Sequence, residues 1–212
     1  MLKDIELSEF LCAKFCHDLA GPIGAINNGI DFFESDNEQM KEKAYELVRM
    51  SSKQAVNRLT FFRQAYGNIA ADNETHLMEL RSLILKFMED SKLQLDFIDS
   101  ASDNNDVVDG KLGKLLINVV IIATHVIMAN GLISVRVERL KDQSKIIVSA
   151  EGQSHKLEEE LLKILDWDLN GIEINSRNIQ HYYTALLLKE IDASITVDEK
   201  GDKVHFTIVS SK

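Results

Sequence analysis

The segment CHDLAGPIGAINNGIDFF, residues 16–33, places the chain's single proline, Pro22, five residues after a histidine and inside what reads as a long amphipathic helix. A proline in a helix interior costs about 3 kcal/mol, because it removes a hydrogen bond and crowds the preceding turn. Periodicity nevertheless carries the helix from 3 to 33. Ile5, Cys12, Cys16, Leu19, Ile23, Ile26, Ile30 and Phe33 recur at alternating steps of four and three, with one gap at Glu9. That spacing is the seam of a coiled-coil-like bundle. The turn chemistry of ESDN, 34–37, ends the helix.

A second helix is predicted over 38–66, with Ala44, Leu47, Val48, Ala55, Leu59, Phe62 and Tyr66 as its buried stripe and Gly67 as its cap. Two helices, each roughly 45 Å long, with a short connection between them make an antiparallel hairpin. Phe10, Leu11, Phe15, Phe32 and Phe61 lie off the narrow seam, so the apolar surface is too wide for two helices to bury. A second hairpin from an identical chain would complete a four-helix bundle.

After a polar linker, NIAADNETH at 68–76, the pattern changes. HLMELRSLILKFMED reads as a helix, LQLDFID as a strand, SASDNNDVVDG as a loop and KLGKLLINVVIIATHVIMANG as a long apolar helix. LISVRVERL and SKIIVSA alternate as strands of a hairpin around KDQ. LEEELLKILDWD and SRNIQHYYTALLLKEI are short helices, and DASITVDEKGDKVHFTIVS closes with two strands around Lys200-Gly201-Asp202. The expected class is α+β: a helical hairpin over 1–70 that dimerises into a four-helix bundle, then an α/β sandwich over 71–212.

The chain has 212 residues, 45% hydrophobic and 27% charged, enough for a sizeable core. Its net charge of −10 argues against a nucleic-acid partner, which needs clustered Lys and Arg. No apolar run is long enough to span a membrane, and the acidic, polar start MLKDIELSEF is not a secretory signal. Two cysteines one helical turn apart, and no others, fit a reducing cytoplasm.

His17 sits one step off the seam. Its neighbours one turn away are Ala13, Lys14, Ala20 and Gly21, and Gly24 lies two turns on. Apart from Lys14 these are very small, which leaves room for another protein to approach the imidazole. Gly21 and Gly24 each cost roughly 1 kcal/mol of helix stability relative to Ala. Pro22 removes the hydrogen bond to the carbonyl of Asp18 and should bend the helix one turn past the histidine. Imidazole suits a phosphoryl carrier, since a pKa near 6.5 leaves a neutral, nucleophilic nitrogen at pH 7. Asp18 could orient the ring or act as a base. On these residues alone, a surface histidine in a kinked helix stands equally open. A metal site from Cys12, Cys16 and His17 is a weaker third reading, because the cysteines fit the seam and His17 points elsewhere.

The run His17-Asp18-Leu19-Ala20-Gly21-Pro22-Ile23 resembles the H-box of two-component sensor kinases, where a His, an acidic residue, an aliphatic residue and a later Pro recur. With FCHDLAGPIGAINNGIDFF and QAVNRLTFFRQAYG (54–67), the chain is similar more specifically to ChpT-type histidine phosphotransferases. These are dimeric relay proteins with a helical-hairpin domain and a degenerate ATPase-like domain. SRNIQHYYTALLLKEIDASITV fits the last helix-strand unit. The resemblance implies that His17 takes phosphate from the receiver Asp of a CckA-like hybrid kinase. His17 would then pass it to receivers of CtrA- or CpdR-like response regulators, the Mg²⁺ being supplied by the receiver.

A kinase is the competing reading, and the second domain tests it. LLINVVIIATHV aligns with the kinase N-box, with Asn118 at the first Asn but Ile122 at the second. In IIVSAEGQS, Ala150 replaces the Asp of D-x-G-x-G, with Gly152 retained, and INSRNIQHYY replaces the glycine-rich lid. Without these groups neither Mg²⁺ nor adenine has its ligands, so ATP is not expected to bind. Kinases that also act as phosphatases often carry Thr or Asn four residues after the His; Gly21 there implies weak phosphatase action. A non-catalytic dimeric adaptor of receivers is a further alternative.

Lys14 reads first as a solvated lysine and second as a contact to phosphate oxygens. Arg58 and Arg63 are candidates to meet an acidic receiver rim, although helical arginines usually face solvent. Asn27 and Asn28 lie about three turns beyond His17, with Asn28 nearer its side. His76, His125, His155, His181 and His205 show no convergent pattern, and His125 reads as a packed core residue. Trp167, with Asp166 and Asp168, is a candidate partner surface.

Overall fold

The structure, a computed structural model, describes residues 2–33, 37–68, 74–99, 106–139 and 143–211. The hairpin consists of α1 (Asp4–Phe32) and α2 (Glu38–Tyr66). Pro22 lies within a continuous α1, buried against α2. Asn37 caps α2, its side chain accepting from the backbone N–H groups of Gln39 and Met40. Gly67 ends α2 with its N–H on the Arg63 carbonyl, and a Cβ there would collide with that oxygen. The rest of the predicted turn, 34–36, and the linker residues 69–73 lie outside the described residues.

The second unit opens with β1 (Glu74–His76) and α3 (Leu77–Met88), followed by β2 (Leu93–Asp99), β3 (Val107–Asp109) and α4 (Gly110–Val126). Then come β4 (Gly131–Arg139), β5 (Gln143–Gly152), α5 (Glu159–Leu165), α6 (Ile179–Glu190), β6 (Ala193–Lys200) and β7 (Lys203–Ser211). Five strands form a sheet in the order β2-β4-β5-β7-β6, with β2 and β4 parallel and the other neighbours antiparallel. The alternation read in the sequence sets the inward face: Ile133, Val135 and Val137, then Ile146, Val148 and Ala150, then Val204, Phe206 and Ile208, all fully buried. Helix α4 packs on that face, its run Leu115–Ala123 almost wholly removed from water. Gly201, at φ +65°, makes the β6–β7 turn as expected.

Two short strands fall where no strand was expected. β1 sits in the predicted linker and β3 in the predicted loop, and they pair antiparallel, Glu74 opposite Asp109. Three residues are too few to give a readable period. Among the described residues, no helix is long and apolar enough to cross a membrane.

The hairpin seam also needs correction. Within the chain α1 turns Leu7, Leu11, Phe15, Asp18, Pro22 and Gly29 inward or partly inward, whereas Ile5, Cys12, Cys16, Ile23, Ile30 and Phe33 of the expected seam are exposed. On α2, Ala44, Ser51, Phe61, Phe62 and Ala65 are buried, while Leu47 and Leu59 are exposed. The reason is close approach of the helices: a Cβ on Gly29 would lie 2.5 Å from Val48 Cγ2 and 3.3 Å from the Ala44 carbonyl. Around Gly29 small residues therefore fill the intrachain contact, and Ile23 and Ile30 belong to a second row facing outward.

The base of the hairpin belongs to the main core. Phe61 stacks on Phe87 of α3 with ring centroids 3.9 Å apart, and Phe15 meets Phe62 edge-on at 5.7 Å. The first turns of α1 join a smaller core with α5 and α6, where Leu2, Leu7, Phe10 and Leu11 meet Ile164, Ile179, Tyr182 and Ala185. Trp167, read as a candidate partner surface, packs partly buried against this core. Its ring stacks on Tyr182 at 5.5 Å and carries the Lys189 ammonium 3.6 Å from its centroid.

Candidate functional site

His17 stands out from α1 with 88% of its side chain exposed. Its Nδ1 faces Asp18 Oδ1 at 3.3 Å. The other carboxylate oxygen, Asp18 Oδ2, accepts from Lys14 Nζ at 3.0 Å. Lys14 is therefore not a solvated lysine: only 12% of its side chain is exposed, and its charge is committed to Asp18. The pair is an i,i+4 contact on one helix, so the carboxylate is held within a rigid element.

Asp18 is held from behind as well. Arg58 Nη1 on α2 donates to the Asp18 main-chain carbonyl at 2.5 Å. Arg58 Nη1 is thus committed within its own chain. Arg63 is exposed and lines an apolar groove with Leu11, Cys12, Phe15, Leu59 and Tyr66. Gly21, Gly24, Asn27 and Asn28 are all exposed on the part of α1 that follows His17. An added Cβ at Gly21 or Gly24 meets nothing within 4 Å. Among the described residues, these two positions have open space where a side chain would stand.

Beneath Asp18 a cleft of about 370 Å³ separates the hairpin from the second unit, lined by Gln54, Arg58, Asp90, Ser91, Thr124 and His125 among others. His125 is exposed at this rim, not packed in the core as expected. Crowding by protein atoms, and then Lys14, lowers its pKa, but solvent still reaches the ring and weakens the effect. His181 on α6 is more deeply set. Burial, with His125 adding to it, holds its pKa down to about 4. Among the described residues no group of three His, Cys, Asp or Glu side chains is placed to hold a metal ion.

The residues read against the kinase nucleotide motifs are engaged within the chain. Asn118 is fully buried, and its Nδ2 donates to the Ala65 carbonyl at the end of α2 (3.0 Å) and to the Lys114 carbonyl (2.8 Å). Its Oδ1, the atom that would face Mg²⁺, accepts from Gln180 Nε2 at 2.8 Å. Tyr66 donates in turn to Gln180 Oε1, and burial raises the Tyr66 pKa. Ile122 and Ala150 are buried and offer no polar atom. In place of a mobile lid, Asn178 ties residues 173–178 together: it bonds the Asn175 N–H, the Glu173 carbonyl and Glu160. The residues present do not fit a magnesium nucleotide. Sequence reasoning missed Gln180 and Asn178, since neither belongs to a motif; their polarity on an otherwise apolar helix start was the available signal.

Residues 77–203 match the family described as the histidine phosphotransferase C-terminal domain. The chain belongs to this histidine phosphotransferase family. It is 24% identical over 207 residues to the protein phosphotransferase ChpT of Brucella abortus (strain 2308), covering 97% of this chain and 96% of that protein. A bacterial phosphotransferase of solved structure superposes with a TM-score of 0.85 at 25% identity, over 98% of both chains. The histidine kinase AdeS of Acinetobacter baumannii shares the fold at a TM-score of 0.50 and 17% identity, over 92% of this chain and 97% of that one. The hairpin followed by a kinase-like α/β unit is therefore the architecture of a phosphotransferase in a phosphorelay.

Proposed function

We propose that His17 is the phosphoryl carrier, loaded from the receiver Asp of a hybrid histidine kinase and unloaded onto the receiver Asp of a response regulator. The observation that carries this reading is the exposed imidazole whose Nδ1 faces Asp18, the one bond of this ring among the described residues. With a carboxylate at 3.3 Å, Nδ1 carries the proton and donates it, so the lone pair sits on Nε2, on the open side of the ring. Nε2 attacks the phosphorus of an aspartyl phosphate; the N–P bond forms, the P–O bond to the acyl oxygen breaks and the receiver carboxylate leaves. The phosphorylated ring carries a positive charge while Nδ1 keeps its proton, and the Asp18 carboxylate stabilises it. The second transfer is the same step in reverse, onto another carboxylate. Mg²⁺ comes with the receiver, which holds the acidic cluster.

The Asn118 side chain is committed to Ala65, Lys114 and Gln180, which supports a carrier that does not bind ATP or phosphorylate itself. The outward row of Ile5, Cys12, Cys16, Ile23 and Ile30 supports a homodimeric four-helix bundle, and the two free cysteines suit work in the cytoplasm. Mixing the chain with a receiver domain carrying labelled aspartyl phosphate tests the proposal. Label should move to the wild type and not to His17→Ala. Equal labelling of the two, or none of either, defeats it.

A further inference from the structure

Pro22 has no N–H, so the carbonyl four residues earlier, that of Asp18, loses its helical partner. A carbonyl left unpaired at a half-buried helix contact is costly, and native structures supply a substitute. Here the substitute is Arg58 Nη1, reaching across from α2. Asp18 is the residue whose carboxylate faces His17 Nδ1. We infer that Arg58 is a positioning residue for phosphoryl transfer: it occupies the carbonyl that Pro22 frees and so fixes the backbone from which Asp18 orients the reactive ring.

The two ends of Asp18 are thereby held independently. Lys14 restrains Oδ2 and Arg58 the main-chain oxygen, which leaves Oδ1 for the imidazole. A charged guanidinium makes a stronger bond to a carbonyl than a neutral donor does. The bond also joins the two helices of the hairpin at the level of the histidine. The inference rests on His17 being the phosphate acceptor, but the link between Pro22 and Arg58 does not.

A mutant cycle on the full chain distinguishes the two. Wild type, Pro22→Ala, Arg58→Ala, Arg58→Lys and the Pro22→Ala/Arg58→Ala double variant are compared in single-turnover transfer from a phosphorylated receiver domain, with thermal unfolding followed in parallel. Arg58→Ala should lower the limiting transfer rate roughly tenfold and leave the half-saturating receiver concentration unchanged. Arg58→Lys keeps a donor and should stay within about threefold of wild type. In the Pro22→Ala background residue 22 regains its N–H, so removing Arg58 should cost less than about twofold. An equal loss in both backgrounds overturns the inference. So does a change confined to the half-saturating concentration, which would make Arg58 a receiver contact. If wild type takes no phosphate at all, the functional reading fails instead. The unfolding midpoints then still decide the link, since additive effects of Pro22→Ala and Arg58→Ala would refute it.

Discussion

Asp18 is the residue through which the site is organised. Lys14, His17 and Arg58 reach it by three different atoms, and two of the contacts bring positive charge. Replacing Lys14 by Met should leave the carboxylate half-buried without its partner, costing about 1–2 kcal/mol and slowing transfer without removing the acceptor. Urea unfolding and a transfer time course check both parts. His181 supplies a pH dependence. Its pKa is about 4 in the fold against an ordinary 6.5, so the unfolded chain binds more protons between those values. Stability is therefore complete above about pH 6.5 and falls as pH drops toward 4, by on the order of 3 kcal/mol. His181→Leu should flatten that slope in unfolding experiments at pH 4, 5, 6 and 7. Of these contacts the sequence made the His17–Asp18 pair legible, because the two are adjacent. The Lys14–Asp18 pair was also available from its i,i+4 spacing. The Arg58 bond was not, since it depends on how α2 is rotated against α1.

The helices of the hairpin show what periodicity can and cannot decide. Both rows of apolar residues on α1 were visible, but a period does not say which row is covered within the chain. The choice is made by volume: Gly29 lets α1 approach Val48 and Ala44, and a stripe of large residues would hold it away. Gly29→Ala gains helix propensity of roughly 1 kcal/mol but forces a β-branched neighbour to move, at roughly 1–3 kcal/mol. It should lower the melting temperature. Gly24→Ala meets open space and should raise it, by up to about 1 kcal/mol in stability, while slowing transfer if a receiver approaches there. Differential scanning calorimetry separates the two glycines. The outward row gives a further test: Ile23→Asp with Ile30→Asp should convert a dimer into a monomer by light scattering. Unchanged mass would refute the bundle.

At the level of the whole molecule, the second unit has kept a kinase-like fold while its polar residues serve another end. Asn118, Gln180 and Tyr66 form a buried chain that fastens the end of α2 to α4 and α6, and Lys114 adds a bond to the Gly67 carbonyl. Asn118→Leu would take the 2.8 Å acceptor from Gln180 Nε2 and the donor from the Ala65 carbonyl, and should destabilise the chain by about 2–3 kcal/mol in denaturant titration. A neutral result would mean the network is dispensable. The order of the larger strands and helices was readable because each is long enough to show its period. The fastening was not, because Asn118 was read against a motif for nucleotide and its partners come from two distant segments.

The decisive measurement is phosphopeptide mapping by mass spectrometry under alkaline conditions, after exposure either to a phosphorylated receiver or to ATP with Mg²⁺. A single phosphohistidine at His17, acquired from the receiver and not from ATP, is the expected result. Phosphate on any other residue, or equal labelling from ATP, would contradict it.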